Sequence, residues 1–281
     1  MRWFKKDQTA PPREVVSSVP MQPAHRPDWH AFDDVAGDYA RAVAPHFAPI
    51  AADLVAFAEI PASGKLLDVG TGTGVVLRAA GSFSSFGVDP SVPMLRHAQG
   101  LNVVAAETHS LPFRAETFHG ATIEFVLPMF PKLDTALFDV VRVLRPGGVL
   151  AAATWDAGED ELTKTWRELA ERAIGEKMMR EEMRDAEPWA LVAEDKDRLE
   201  QALRDAGLHP VTVERRKYKL TMSRDDYVTE KTTQTSGRFV RAMLADEWPQ
   251  FLESARATYA KTFPETLVDF RDVLLARGTK P

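Results

Sequence analysis

Apolar residues change their period along this chain, and the changes mark out its elements. From Phe32 onward Val35, Tyr39, Val43 and Phe47 recur at every fourth position, and Ile50, Leu54 and Phe57 continue the rhythm, which predicts helix with one buried face. Pro45 and Pro49 fall inside this stretch, and because proline lacks the N–H of the helical ladder they are expected to split it into two helices. Short apolar or mixed runs then take over at 65–69, 84–88 and 102–105, each followed by a helix or a turn, with further runs at 120–126 and 149–154. These read as strands. Between the last two, Leu133, Leu137, Val140, Val141 and Leu144 mark one helical face, and the turn Pro146-Gly147-Gly148 leads into the fifth strand. Strands alternating with helices at this spacing predict an α/β, doubly wound fold, a mostly parallel sheet covered on both sides.

The remainder is richer in helix. Leu162, Trp166, Leu169 and Ala173 form one stripe, and Leu199, Ala202, Leu203 and Ala206 form another that stops at Gly207, a favourable helix-ending residue. Residues 211–220 alternate like a strand and 267–276 supply a last one, so the sheet is expected to finish with an antiparallel pair after an inserted helical cap. The predicted organisation is an N-terminal arm at 1–28, a ligand-binding core at 29–157, a helical cap at 158–208, and completion of the sheet with further cap helices at 209–281. The arm is expected to be flexible or extended, since Pro11, Pro12, Pro20, Pro23 and Pro27 interrupt it and little periodicity survives there.

Composition narrows the function classes. A chain of 281 residues with 44% apolar and 27% charged residues suits one enlarged globular domain better than several modules. The net charge of -6 leaves no domain-wide positive field of the kind that binds phosphate backbones, so no nucleic-acid partner is expected. Cysteine is absent, which removes disulfides, thiolate catalysis and zinc–cysteine sites together and fits a reducing cytoplasm. The start, MRWFKKDQTAPP, turns polar at once and offers no run long enough for a signal peptide or membrane span, so a cytoplasmic protein without a membrane partner is expected, as a monomer or homodimer.

The most informative chemistry lies at 66–74, Leu-Leu-Asp-Val-Gly-Thr-Gly-Thr-Gly, where an apolar strand runs straight into a glycine-rich turn and a helix follows at 75–80. In such a turn the backbone passes close to a ligand, and the helix start presents free N–H groups to an anion. A dinucleotide fingerprint wants its third glycine three positions after the second, but here Gly74 follows Gly72 by two, and no Gly-Lys-Ser/Thr ending marks a nucleotide-hydrolysing loop. Fifteen residues beyond Gly74 the second strand ends at Asp89, which places a carboxylate beside the loop at the sheet edge, where it can accept both hydroxyls of a ribose.

Four segments, LLDVGTGTG at 66–74, GVDPS at 87–91, AETHSLPF at 106–113 and LRPGGVL at 144–150, together resemble the class I S-adenosylmethionine-dependent methyltransferases, most closely the ubiquinone/menaquinone-biosynthesis-type small-molecule branch. The resemblance covers roughly residues 30 to 155 and implies a Rossmann-like, seven-stranded sheet with S-adenosylmethionine as cofactor. Carried over by position, Asp68, Gly70, Thr71, Gly72 and Gly74 would flank the methionine part, Asp89 would hold the ribose, and Pro90 and Met94 would lie near the adenine. Glu107, where the family usually has aspartate, and Thr108 would complete the adenine side, while Glu124, Phe125 and the residues to Leu127 would lie beneath the methionine and Tyr39 would close over the cofactor. His119 departs from the family's usual aspartate, at the strand end remote from the cofactor, and a structural effect is expected there.

Methyl transfer to a hydroxyl or an acidic carbon also requires a base. His30 before the first helix and Glu124 at the end of strand four are the catalytic candidates, with solvent-exposed readings open for both; His109 reads as a loop residue, and Trp155 and Asp156 as pocket lining or core. Trp166, Met178, Met179, Met183, Trp189, Tyr227, Phe239 and Met243 supply adaptable apolar surface that would suit a bulky apolar acceptor, or ordinary core. The mixed charges at 176–184 read as a solvated helix face, and no histidine–carboxylate cluster has metal-ligand spacing, so no metal is expected. The expected function is methylation of a small, apolar metabolite. The alternatives are a methyltransferase-fold cyclase or rearrangement catalyst and a non-catalytic cofactor-binding partner.

Overall fold

The computed structural model describes residues 32–61, 63–81 and 83–281, so the arm predicted at 1–28 and the candidate His30 lie outside the described residues. Its seven strands are β1 (Lys65–Val69), β2 (Ser84–Asp89), β3 (Val103–Ala105), β4 (Phe118–Glu124), β5 (Leu144–Trp155), β6 (Val211–Ser223) and β7 (Thr266–Thr279). They form one sheet in the order β3-β2-β1-β4-β5-β7-β6. The first five pair in parallel, and β7 runs antiparallel to both β5 and β6, as the sequence pattern requires. The chain order reverses beside β1, between β2 and β4, which is where open α/β sheets form their ligand crevice.

Side chains alternate between two cores, one on each face of the sheet. Leu66, Ala151, Ala153, Val273 and Leu275 join the core under the N-terminal helix, whereas their neighbours Leu67, Leu150, Ala152, Leu274 and Ala276 join the opposite core. This period of two is what a sheet buried on both faces demands. The first face is covered by α1 (Ala36–Asp38), a π-wound turn at Tyr39–Val43, and α2 (Ala44–Phe57). The expected break at the prolines takes a different form. Pro45 sits in the first turn of α2, where a missing N–H costs nothing, and Pro49 is carried inside it; the irregularity falls before both, in the π turn.

After α3 (Val75–Ala79) and α4 (Val92–Arg96), α5 (Leu133–Val143) covers the second face. Between β5 and β6 come α6 (Glu161–Ile174), α7 (Glu176–Ala186), α8 (Ala190–Ala193) and α9 (Lys196–Asp205); between β6 and β7 come α10 (Arg224–Thr233), α11 (Thr235–Leu244) and α12 (Trp248–Thr262). The β6–β7 hairpin pairs from Val211 to Ser223, but β5 reaches only Val273 of β7. The hairpin's far half therefore projects past the sheet's carboxyl edge, and it carries α10 to α12 over the end of β5.

Candidate active site

Three left-handed glycines shape the turn after β1: Gly70 at φ 75°, Gly72 at 51° and Gly74 at 85°. A side chain at Gly70 would also collide with Val126, whose Cγ2 lies 2.5 Å from where a Cβ would sit. The turn folds back on β2, with the Gly70 and Thr71 N–H groups donating to the Val88 carbonyl at 2.8 and 2.9 Å. Gly87 on β2 permits this approach, since a Cβ there would come within 2.7 Å of the Thr71 side chain.

Asp89 locks the turn in place. Its Oδ2 accepts from the Gly72 N–H at 2.9 Å and its Oδ1 from the Ser91 N–H at 2.8 Å, which leaves lone pairs of both oxygens for a ligand. Ser91 caps α4 by accepting from the Met94 N–H and donates to Asp33 Oδ1 at 2.6 Å, tying the helical segment at 33–57 to this end of the crevice. Burial raises the Asp89 carboxyl above its ordinary range, against the two backbone N–H bonds.

A cavity of about 650 Å³ opens beside the turn, within the roughly 300–1,000 Å³ typical of ligand sites. Tyr39, Phe47, Phe125 and Trp155 supply its apolar wall. The Phe125 and Trp155 rings stack at 4.0 Å, with Phe47 at 5.2 and 5.7 Å from them. Phe125 is held at φ 57°, a conformation that costs a non-glycine residue of order 1–3 kcal/mol and clusters at functional sites.

Two carboxyls face the same space. Asp68, 1% exposed, accepts from Thr122 Oγ1 at 2.8 Å, and burial pushes it up to about 6. Glu124 is held well above the ordinary carboxyl range, first by burial and then by Asp68 beside it; its Oε1 and the Thr73 Oγ1 are buried without hydrogen-bond partners. Tyr39, in the π turn, has its hydroxyl pK raised by burial and by Glu124, Glu230 and Asp89. π turns are rare and frequent at functional sites.

Residues 67–152 match the family model described as "Methyltransferase domain". A demethylmenaquinone methyltransferase of Roseiflexus castenholzii is 30% identical over 174 residues, 56% of this chain and 73% of that protein. The chain belongs to the S-adenosylmethionine-dependent methyltransferases. A tRNA (carboxymethyluridine(34)-5-O)-methyltransferase of Arabidopsis thaliana is 31% identical over 149 residues, 48% of this chain, and the chain spans only 36% of its length. Among solved structures, an S-adenosylmethionine-dependent methyltransferase of Thermotoga maritima shares the fold at a TM-score of 0.54 and 20% identity, covering 90% of this chain and 100% of that one.

The residues present fit the family's cofactor. A buried acid, an opening bounded by glycines, and unpartnered buried oxygens on Glu124 and Thr73 converge on one cavity. Of the residues that family likeness points to, Tyr39, Asp68, Gly70, Thr71, Gly72, Asp89, Met94, Glu124 and Phe125 line it. Gly74, Pro90, Glu107 and Thr108 stand outside the wall: Gly74 starts α3, Pro90 and Glu107 face solvent, and Thr108 is buried behind the loop. Trp155 and Asp156 do line the cavity, and His109 is an exposed loop residue. His119 sits at the far end of β4, where its Nδ1 accepts from the Lys65 N–H at 3.0 Å, a structural bond remote from the turn.

The methionine-rich surface is arranged differently from the expectation. Met179, Phe239 and Met243 pack in a small core where α6, α7 and α11 meet, Trp166 and Tyr227 are buried in the core under the N-terminal helix, Trp189 packs on the opposite core, and Met178 is exposed. Only Met183 of that set reaches the cavity, whose apolar wall otherwise comes from the four aromatic rings above together with residues such as Phe32, Val126 and Met129. Residues 176–184 do form an exposed charged helix, with Glu176–Arg180 and Lys177–Glu181 ion pairs.

The sequence reading missed the wall contributed by the hairpin and α10. Arg271 donates through Nη1 to Glu230 Oε1 at 2.6 Å and through Nε to Asp269 Oδ2 at 2.5 Å, beneath Trp155 at 5.3 Å. Lys231 lies next to this cluster. These residues are about 40 positions apart in sequence and carry no motif, so only the hairpin's overhang could have revealed them.

Proposed function

We propose that the protein transfers a methyl group from S-adenosylmethionine to an oxygen, nitrogen or carbon atom of a small acceptor with an apolar body. The observation that carries this reading is the convergence of Asp68, the glycine turn, Asp89 and the aromatic wall on one cavity at the point where strand order reverses. When bound, the cofactor supplies an electrophilic methyl on a sulfonium. Asp89 would receive the ribose hydroxyls on the lone pairs that the Gly72 and Ser91 N–H groups leave available, and Met94 would face the adenine. Asp68 would accept the ammonium, and Tyr39 and Phe125 would enclose the reacting centre.

The protein's principal task is then positioning. Holding donor and acceptor at near-attack distance in a dry space can supply roughly 7–11 kcal/mol of the barrier. Glu124, whose burial favours the protonated form, would orient the acceptor as a hydrogen-bond donor rather than withdraw its proton. Among the described residues no helix is long and apolar enough to cross a membrane, and with the absence of cysteine this supports work on a diffusible metabolite in the cytoplasm.

The test is product mass. Incubated with S-adenosylmethionine and a panel of apolar phenols, amines and carbon acids, the protein should yield S-adenosylhomocysteine together with an acceptor heavier by one methyl group. Isomerised products without cofactor turnover would instead support a rearrangement catalyst, and cofactor binding without any product across the panel would support a binding partner. The methyltransferase names of the curated relatives weigh against both, and the intact glycine turn weighs against the binding partner alone.

A further inference from the structure

Across the sheet, the crevice runs from Asp89 on β2 over the turn of β1 to Glu124 on β4, Trp155 on β5 and Arg271 on β7. At about 4.8 Å per strand, three steps place Arg271 roughly 14 Å from the β1 turn, on the side away from the ribose position. The cationic donors there are incompletely hydrogen-bonded by the protein itself. Asp269 and Glu230 satisfy Nε and Nη1 of Arg271, but its Nη2 is buried without a partner, as is Glu230 Oε2.

Lys231, only 5% exposed, lies over the Tyr227 ring at 4.9 Å. Its Nζ reaches Gln234 Oε1 at 3.4 Å and Thr163 Oγ1 at 3.5 Å, and no carboxylate among the described residues pairs with it. Burial, and then Arg271, pull it down to about 8. A buried ammonium left in this state is costly unless something pairs with it.

The start of α11 faces the same space. Gln234, Thr235 and Ser236 line the cavity, no side chain caps the helix, and the Thr235 Oγ1 is buried without a partner. The first N–H groups of a helix have no acceptor within it and attract negative charge. Of the acids that line the cavity, Asp156 pairs with Arg215, Glu159 with Arg167 and Asp272 with Lys217, Asp160 caps α6 through the Thr163 N–H, and Glu187 and Glu194 have no ion-pair partner among the described residues.

We propose that this wall is an anion subsite for the acceptor, which carries a carboxylate held between Arg271 Nη2, Lys231 Nζ and the uncapped start of α11, with its apolar body against Phe47, Phe125 and Trp155. The inference rests on the cofactor reading above and names the acceptor class: an apolar acid.

The experiment uses the full chain saturated with S-adenosylhomocysteine and titrates three probes, benzoate, benzamide and benzylamine, by calorimetry. Benzoate should bind at least tenfold more tightly than the other two. Lys231→Met should weaken benzoate at least tenfold and Lys231→Arg should restore it to within about threefold, with S-adenosylhomocysteine affinity unchanged in both. Tightest binding of benzylamine, or benzoate binding indifferent to Lys231→Met, overturns the proposal. So does loss of S-adenosylhomocysteine affinity in Lys231→Met, which would assign the charge to the cofactor's own carboxylate. If the wild-type protein fails to bind S-adenosylhomocysteine, the cofactor reading fails separately, and the three-probe comparison on the unliganded protein still decides the subsite.

Discussion

Asp68 shows how one residue couples packing to ligand binding. Its carboxyl is buried beneath the turn, so burial, partly opposed by the hydrogen bond from Thr122, lifts it to about 6. The sign follows directly. The folded value lies above the unfolded one, so the neutral form is favoured by folding, and this contribution to stability is lost as pH rises from about 4 through about 6. A cofactor ammonium needs the opposite state, the ionised carboxylate. Affinity for S-adenosylhomocysteine should therefore rise roughly tenfold between pH 5 and pH 7, following the ionised fraction of a group titrating near 6. Asp68→Asn should bind weakly and lose most of that slope. Calorimetric titration across this range checks it, and an equal slope in the variant would move the proton to another group, with Glu124 the first to examine.

At the scale of elements, what the sequence disclosed was local and what it concealed was long-range. The strand–turn–helix of 66–79 was legible because glycine spacing and an apolar run specify it without help from elsewhere, and Asp89 was legible because it ends the next strand. The antiparallel finish was legible from alternation at 211–220. The π turn at Tyr39, the left-handed Phe125 and the Arg271–Glu230–Asp269 cluster were not, since each is imposed by neighbours distant in sequence. Gly237 belongs to the same group. Within α11 a Cβ at this position would meet the Lys231 carbonyl oxygen at 2.1 Å and the Thr232 Cα at 2.6 Å, so the crossing of α10 and α11 depends on its absence. Alanine is the better helix former by about 1 kcal/mol, but a clash with backbone cannot be relieved by a rotamer, and overpacking of this kind costs roughly 1–3 kcal/mol. Gly237→Ala should accordingly lower the urea midpoint; an unchanged or raised midpoint would mean that the two helices can slide apart freely.

On the scale of the whole molecule, the protein divides its crevice between two structural halves. The parallel strands β1, β2 and β4 present the turn, Asp89 and Glu124, which are the groups suited to an adenosyl amino acid. The overhanging β6–β7 hairpin and the helices it carries present Arg271, Lys231 and the start of α11, which shape the space beyond. Function in this fold is set by what the second half offers, since the first recurs in proteins of differing acceptors. The division nonetheless rests on the first half holding the cofactor. Isothermal titration of S-adenosylhomocysteine into the wild-type protein and into Asp89→Ala tests this most directly. Binding to the wild type, weakened roughly 10- to 150-fold in the variant by loss of charge-assisted hydrogen bonds, is the predicted result. Equal affinity in the two proteins, or no heat with S-adenosylhomocysteine and saturable binding of a nicotinamide dinucleotide, would contradict it.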